Sequence, residues 1–192
     1  MPPEALLRAL ATLQARHERR PSEVSEILER MLRDNPLMKK PRHGKPGYVH
    51  QGEQNDRLFE ASHTHVEGSG CSNCDSHRAI TRDIRDSTEP EIHYGVIASG
   101  NGLIKDGPTR DSIIQWTDED CICFEMEAAG LMNSFPCLVI RGICDYADSH
   151  KNDRWQRYAA ATAAAYAKEF LGIVPAEDLK RTKNAIDALE KS

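Results

Sequence analysis

The stretch CICFEMEAAGLM, residues 121–132, joins an apolar strand-like run to a helical run and carries Glu125 and Glu127 at the junction. A second stretch, CLVIRGICDYADSH at 137–150, is apolar apart from Arg141 until it reaches Asp145 and Asp148. Burying an unpaired carboxylate is costly, so acids at the ends of apolar runs indicate groups that the molecule uses. The two stretches therefore predict two strands of a buried sheet that end in a site.

Apolar periodicity over the rest of the chain predicts an α/β fold with a mostly parallel central sheet flanked by helices. Two helices are expected within 4–34, and further helices over 109–116 and 154–173, with strands over 92–100, 121–125 and 137–145. A long irregular insertion occupies 35–90. The predicted domain covers 1–175, and 176–192 form a charged amphipathic tail or linker.

The three predicted strands end in ASGN (98–101), EME (125–127) and CDYAD (144–148). In parallel sheets, ligands bind beyond the carboxyl ends of the strands. These three segments are therefore expected to meet at one edge of the sheet, where they would form a site.

Composition excludes several classes of function. The 192 residues carry a net charge of -5, which gives no basic surface for nucleic acid or anionic membrane. No apolar run approaches the roughly 20 residues that span a bilayer, and the N-terminus lacks the pattern of a signal peptide. Without a secretory signal, the six cysteines are interpreted as reduced thiols of a cytoplasmic protein.

Three motifs, VIASGN, FEMEAAG and IRGICDYAD, resemble those of the purine nucleoside phosphorylase / methylthioadenosine nucleosidase superfamily. The likeness is greatest to the fungal nucleoside-phosphorylase-like domain of NLR-like and ankyrin-repeat proteins, and it covers about 92–172. It implies a partial phosphorylase-type layered fold. It also implies cleavage of the N-glycosidic bond of purine nucleosides, as in nucleoside metabolism, with a purine nucleoside as the ligand.

The resemblance also assigns roles to residues of these motifs. Asp145 matches the acid that protonates or hydrogen-bonds N7 of the leaving purine, for which a raised pKa is useful. Cys144 stands where nucleosidases have a serine that hydrogen-bonds this acid, and Arg141 and Asp148 are expected to pair in structural roles. The remaining assignments are to the ribose and the base: Glu127, Met126 and Glu125 on the sugar side, and Ser99, Asn101, Leu103 and Ile104 near the base. Glu125 can alternatively serve as an anion at a helix start.

The chain departs from the family pattern at its front. Family domains begin with strands that carry a phosphate loop or a water-activating carboxylate, whereas PPEALLRALATLQ (2–14) resembles a helix from midway through the fungal domain. The half that handles the nucleophile is thus expected to be lacking. Three functions stay open. They are phosphorolysis with phosphate as co-substrate, hydrolysis, and a non-catalytic sensing or interaction module joined to downstream NLR or repeat domains. An exposed parallel edge would favour a partner, including a second copy of the chain.

The insertion contains HTHVEGSGCSNCDSH (63–77), whose C-x-x-C and histidines have the spacing of zinc ligands. A structural Zn²⁺ on His65, Cys71 and Cys74, completed by His77 or His93, would explain how so long an irregular segment stays ordered. The alternative is a flexible polar loop with incidental thiols. No cofactor is required for the glycosidic chemistry itself.

Overall fold

The computed structural model describes residues 2–68, 70–117, 120–132 and 135–181, without the side chains of 179–181. Six α-helices and two β-strands are present in this part of the chain. They are α1 (Glu4–His17), α2 (Val24–Asp34), β1 (Val96–Ser99), α3 (Gly107–Thr117), β2 (Cys121–Glu125), α4 (Ala128–Met132), α5 (Gln156–Leu171) and α6 (Ala176–Arg181). The protein is therefore mostly helical with little sheet. The tail beyond 181 lies outside the described residues.

Helices α1 and α2 pack against the alanine-rich helix α5, and this packing forms the core. Small side chains on α5 let the other two helices approach closely, and Tyr166 of α5 contacts both halves of the core. The buried residues of one half are Ala9, Leu13, Phe170 and Val174, and those of the other are Val24, Leu28, Ala161 and Ala165. The helices predicted within 4–34 and over 154–173 are confirmed, because their apolar residues recur with helical spacing and are the ones buried.

The sheet consists of β1 and β2, which pair in parallel. The register places Val96 beside Cys121 and Ser99 beside Glu125, with an irregularity after Val96. Two of the three predicted strands are thus confirmed, and they end at the same edge.

The prediction of a third strand over 137–145 is wrong, since no described residue of this segment joins the sheet. Its apolar side chains are nevertheless used for packing, because Leu138 and Ile140 lie against the core between α1 and α5. A continuous apolar run indicates burial, and burial by helices satisfies that pattern as well as a strand ladder does.

The described residues of 35–90 form four short 3₁₀ turns and two isolated bridges, joined by irregular backbone. The insertion is nevertheless packed rather than loose. Phe59 is fully buried and pairs with Ala79, and Ala61 touches Gly107 so closely that a Cβ on this glycine would lie 2.5 Å from the Ala61 carbonyl oxygen. The insertion is therefore built into the domain next to the start of α3.

A membrane-spanning helix, which would need to be both long and apolar, does not occur among the described residues.

Candidate functional site

The carboxyl edge of the two-stranded sheet brings Ser99 next to Glu125. The Gly100 amide donates to the Glu125 carbonyl oxygen at 3.2 Å, which holds the turn after β1 against the end of β2. The Ser99 hydroxyl oxygen accepts a hydrogen bond from the Ala129 amide at 2.8 Å. Ser99 thereby links the first strand to the helix that follows the second.

Glu125 is buried at the junction of β2 and α4, with 5% of its surface exposed. Its Oε2 atom accepts hydrogen bonds from the amides of Glu127 and Ala128, each at 2.8 Å. Burial alone would raise the pKa of Glu125, but the Ser99 hydroxyl, these two amides and the charge of Arg141 outweigh it and lower the pKa. In this arrangement Glu125 is an anion at the helix start, the alternative role considered for it.

The lowered pKa of Glu125 predicts a pH-dependent stability. Its ionised form stabilises the fold fully above the pKa of an unfolded glutamate, 4.5, and this contribution is lost as pH falls through the lower folded pKa. Glu125→Gln is expected to lower the free energy of unfolding by roughly 1–2 kcal/mol at pH 7, because a charged acceptor becomes neutral. Urea unfolding between pH 7 and pH 3 should show the difference shrinking as the pH falls.

The control for this measurement is Glu29→Gln, the same change at an exposed position of α2, which should have little effect at any pH. A destabilisation by Glu125→Gln that stayed constant from pH 7 to pH 3 would contradict the role given to the ionised carboxylate.

Glu127 and Met126 lie on the outer side of the same turn, where both are exposed. The Glu127 Oε2 atom accepts a hydrogen bond from the Met126 amide at 3.1 Å. This carboxylate keeps acceptor capacity toward solvent, since each of its oxygens can take more than one hydrogen bond.

The residues after β1 are placed less distinctly. Asn101 and Leu103 are exposed and Ile104 is half-buried. None of the hydrogen bonds found within the described ranges joins them to Glu127 or Asp145. The structure thus groups Ser99, Glu125 and Glu127, and all four base-side assignments, including that of Ser99, stay predictions.

Asp145 lies on the segment that follows the core-packing run, with its side chain 13% exposed. Three donors surround its carboxylate: the Cys144 thiol at 3.2 Å, the Ala147 amide at 3.0 Å and the Lys151 ammonium at 3.2 Å. Burial alone would raise the pKa of Asp145, but these three donors together lower it. The carboxylate is therefore held in its ionised form, unlike the raised pKa that a resting general acid would need.

Cys144 occupies the position of the serine that the family resemblance implies, and its thiol does donate to Asp145. Burial, together with the negative charge of Asp145, raises the pKa of Cys144 to about 11. The thiol consequently stays protonated at neutral pH and can serve as a donor to Asp145.

Tyr146 connects the segment that carries Asp145 to the insertion. The sequence did not predict this connection. The Tyr146 hydroxyl donates a hydrogen bond to Asp56 Oδ1 at 2.6 Å, and Arg82 contacts both Tyr146 and Asp56. Arg110 of α3 donates to the Tyr146 carbonyl oxygen at 2.8 Å. Burial and the hydrogen bond to Asp56 raise the pKa of Tyr146 to about 12. No local pattern signals these contacts, because the partners are far apart in the chain.

A cavity of about 1480 Å³ opens beside this segment. Asp145, Cys144 and Arg141 line it, whereas Glu127 and Ser99 are not among the described residues that do so. The charge of Arg141 lowers the pKa of both Glu125 and Cys144, against the effect of burial. Asp148 Oδ2 lies 3.5 Å from His150 Nδ1, and none of the ion pairs found among the described residues joins Asp148 to Arg141.

A group of histidine and cysteine side chains that could hold a metal ion lies at the junction of the insertion and this segment. The ligand atoms of His65, Cys71 and Cys74 lie within 4.8 Å of one another, as do those of His63, Cys74 and His150. The predicted grouping of His65 with the C-x-x-C cysteines is therefore present. His77 and His93 are exposed and belong to neither group, so the structure does not supply the fourth ligand that was predicted.

Comparison with known proteins shows two kinds of relative. Over 179 residues, or 93% of its length, the chain is 41% identical to a nucleotide-binding leucine-rich repeat (NLR)-like protein of the fungus Hyaloscypha variabilis. Over 85 residues, or 42% of its length, it is 35% identical to the ATP nucleosidase Cap17 of Escherichia coli. The aligned part spans 17% of each of these relatives. No family model and no solved structure matches the chain.

Proposed function

We propose that this chain belongs to a domain that cleaves the N-glycosidic bond of purine nucleosides or nucleotides, or that derives from such an enzyme. The observation that carries the proposal is Asp145, whose carboxylate is fixed by three donors at the wall of a large cavity. The similarity to part of an ATP nucleosidase supports the same class of reaction. The motifs ASGN, EME and CDYAD, the last of which contains Asp145, are consistent with the same class of reaction.

Asp145 acts in this proposal as a hydrogen-bond acceptor. When the bond between ribose C1′ and purine N9 breaks, its electron pair passes to the base, and the basicity of N7 rises. N7 takes a proton from solvent, and the ionised Asp145 accepts the new N7–H, which stabilises the departing base. Lys151 and Cys144 keep the carboxylate ionised and oriented for this contact.

The sugar is assigned to Glu127. Its exposed carboxylate can accept two ribose hydroxyls at once, and Met126 beside it offers an apolar surface for the ribose ring. Leu103 provides apolar contact near the base without the stacking of an aromatic ring. The second substrate, water or phosphate, attacks C1′ from the opposite side, so the overall reaction is hydrolysis or phosphorolysis.

The test is release of free base from a panel of substrates by the purified chain. Adenosine, guanosine, inosine, uridine and ATP would be incubated with and without phosphate, and the base measured by chromatography. Release from purines but not from uridine is expected, because a pyrimidine has no N7. Release that needs phosphate would identify a phosphorylase, and release without it a nucleosidase. A folded chain that released no base from any of them would overturn the catalytic proposal.

A second function is favoured by the fungal relative. Since 93% of the chain matches a segment of a much larger NLR-like protein, the domain can serve that architecture as a sensing or interaction module with further domains downstream. Binding of a nucleoside or nucleotide without base release, measured by calorimetry on the same panel, would support this function. Sedimentation of the same samples would show whether a second copy of the chain is a partner.

We also propose that the histidine–cysteine group takes Zn²⁺ in a structural role. Thiolate and imidazole ligands in a C-x-x-C context suit zinc, and the site lies outside the residues assigned to ribose and base. The reaction proposed above needs no metal step.

A further inference from the structure

We propose that one Zn²⁺ is held jointly by two separate segments: His65, Cys71 and Cys74 of the insertion, and His150 of the segment that carries Asp145. The ion would then fix the position of Asp145. The metal site stands on its own geometry, whereas its importance for Asp145 rests on the proposed function.

The insertion supplies three ligands. Cys74 Sγ lies 3.2 Å from His65 Nδ1, close to the roughly 3.5 Å that separates a sulfur and a nitrogen ligand around tetrahedral zinc. Cys71 begins a 3₁₀ turn that carries it back beside Cys74. Cys74 also belongs to the second group of ligand atoms, with His63 and His150. It is therefore the residue that the two groups share.

His150 has the surroundings of a metal ligand. It is buried, with 5% of its surface exposed, and neither ring nitrogen has a hydrogen bond within the described part of the chain. A buried polar atom without a partner is costly, and a metal ion at Nε2 would satisfy it. Asp148 Oδ2 lies 3.5 Å from Nδ1, where a carboxylate often supports the second nitrogen of a ligating histidine.

The two segments are already joined beside the proposed ion. The His65 amide donates to Ser149 Oγ at 3.0 Å, and Ser149 Oγ lies 3.5 Å from the His63 carbonyl oxygen. Phe59 of the insertion stacks on the His150 ring with 4.1 Å between centroids. These contacts hold His150 beside Cys74, the cysteine that the two groups of ligand atoms share. The proposed ion would draw the His150 ring and the other two ligands of the insertion together around that cysteine.

His63 is the competing fourth ligand, because it belongs to the same group as Cys74 and His150 and its Nε2 is also buried without a partner. His150 is preferred for two reasons. It is the more deeply buried imidazole, and a carboxylate lies beside its Nδ1, which leaves Nε2 for the metal. Four ligands with two thiolates complete a closed structural site.

The consequence for Asp145 follows from the chain order. Lys151, which pairs with Asp145 at 3.2 Å, directly follows His150. Two local hydrogen bonds hold the backbone between Asp145 and His150. The Asp145 carboxylate accepts one from the Ala147 amide, and the Asp148 carboxylate accepts one from the His150 amide. A metal bound to His150 therefore fixes one end of the segment whose other end is Asp145.

The first experiment measures metal content and the spectrum of the Co²⁺-substituted chain. The wild type should carry one zinc per chain, and its Co²⁺ form should show thiolate charge-transfer bands with the visible absorption of a tetrahedral site. His150→Ala is expected to weaken zinc binding more than about 100-fold. Losing a ligand should lower the affinity more than losing a residue that only hydrogen-bonds a ligand, which costs about 10- to 100-fold. Cys74→Ser should have the same effect as His150→Ala, while His63→Ala and His77→Ala should keep the metal.

A second experiment covers variants that fail to fold. Hydrogen exchange of the wild-type chain, stripped of metal and then given Zn²⁺, should show new protection in both 63–74 and 145–151. Protection confined to 63–74, or metal lost in His63→Ala but retained in His150→Ala, would overturn the two-segment site. Neither experiment uses a nucleoside, so a chain that binds zinc as described but releases no base would contradict only the proposed function.

Discussion

Replacing Asp145 by asparagine is expected to lower the rate of base release by about 10²- to 10³-fold, the range usual for losing one preorganised hydrogen-bonding group that stabilises the transition state. Asparagine keeps the shape of the side chain and one carbonyl oxygen. It loses the negative charge that Lys151 and the Cys144 thiol hold in place, and with it the strong acceptor for N7–H. Because this contact strengthens as the bond breaks, kcat should fall much more than KM rises.

The matched control is Asp34→Asn, the same chemical change on an exposed residue of α2, which should leave both constants unchanged. The lowered pKa of Asp145 adds a second readout. Wild-type activity should not fall between pH 6 and pH 8 through deprotonation of this group, because it is already ionised. An Asp145→Asn variant with wild-type kcat, or a wild-type kcat that dropped with the ionisation of Asp145 in that range, would contradict its role as an acceptor.

Helix positions are the part of the fold that the sequence predicts best. The apolar residues of α1, α2 and α5 repeat with the helical period, and the same residues are buried in the structure. Strands β1 and β2 were also predictable, because each is a short apolar run that ends in a polar turn. The segment over 137–145 shows the limit of this reasoning, since an apolar run does not reveal whether a strand or a set of helices buries it.

In the candidate site, too, some contacts could be predicted from the sequence and others could not. Contacts between neighbours in the chain, such as Glu125 with the amides of Glu127 and Ala128, follow from a strand that meets a helix. Contacts between distant segments do not, and these include Tyr146 with Asp56 and the approach of His150 to Cys74. The C-x-x-C indicated a metal site, but only the three-dimensional fold shows that His63 and His150 also group with Cys74.

Gly142 is the position where a single methyl group should damage the fold most. A Cβ built at Gly142 would lie 2.0 Å from the Ala159 carbonyl oxygen, which belongs to the backbone of α5 and cannot rotate away. Gly142→Ala must therefore push the 137–145 segment off α5, which would also separate Leu138 and Ile140 from the core. We expect a loss of more than about 3 kcal/mol in the free energy of unfolding, at the upper end of what overpacking costs.

Urea unfolding followed by circular dichroism measures this loss, and Gly130→Ala is the matched control, since a Cβ on Gly130 would meet nothing within 4 Å. That control should be neutral or slightly stabilising, because alanine favours the helical conformation of α4. Should enough Gly142→Ala fold for assay, the displaced segment would also carry Asp145 away from its position, so base release should fall in the folded fraction. If Gly142→Ala were as stable as Gly130→Ala, the packing of this segment directly on α5 would be wrong, and the placement of Asp145 at the cavity wall would lose its main support.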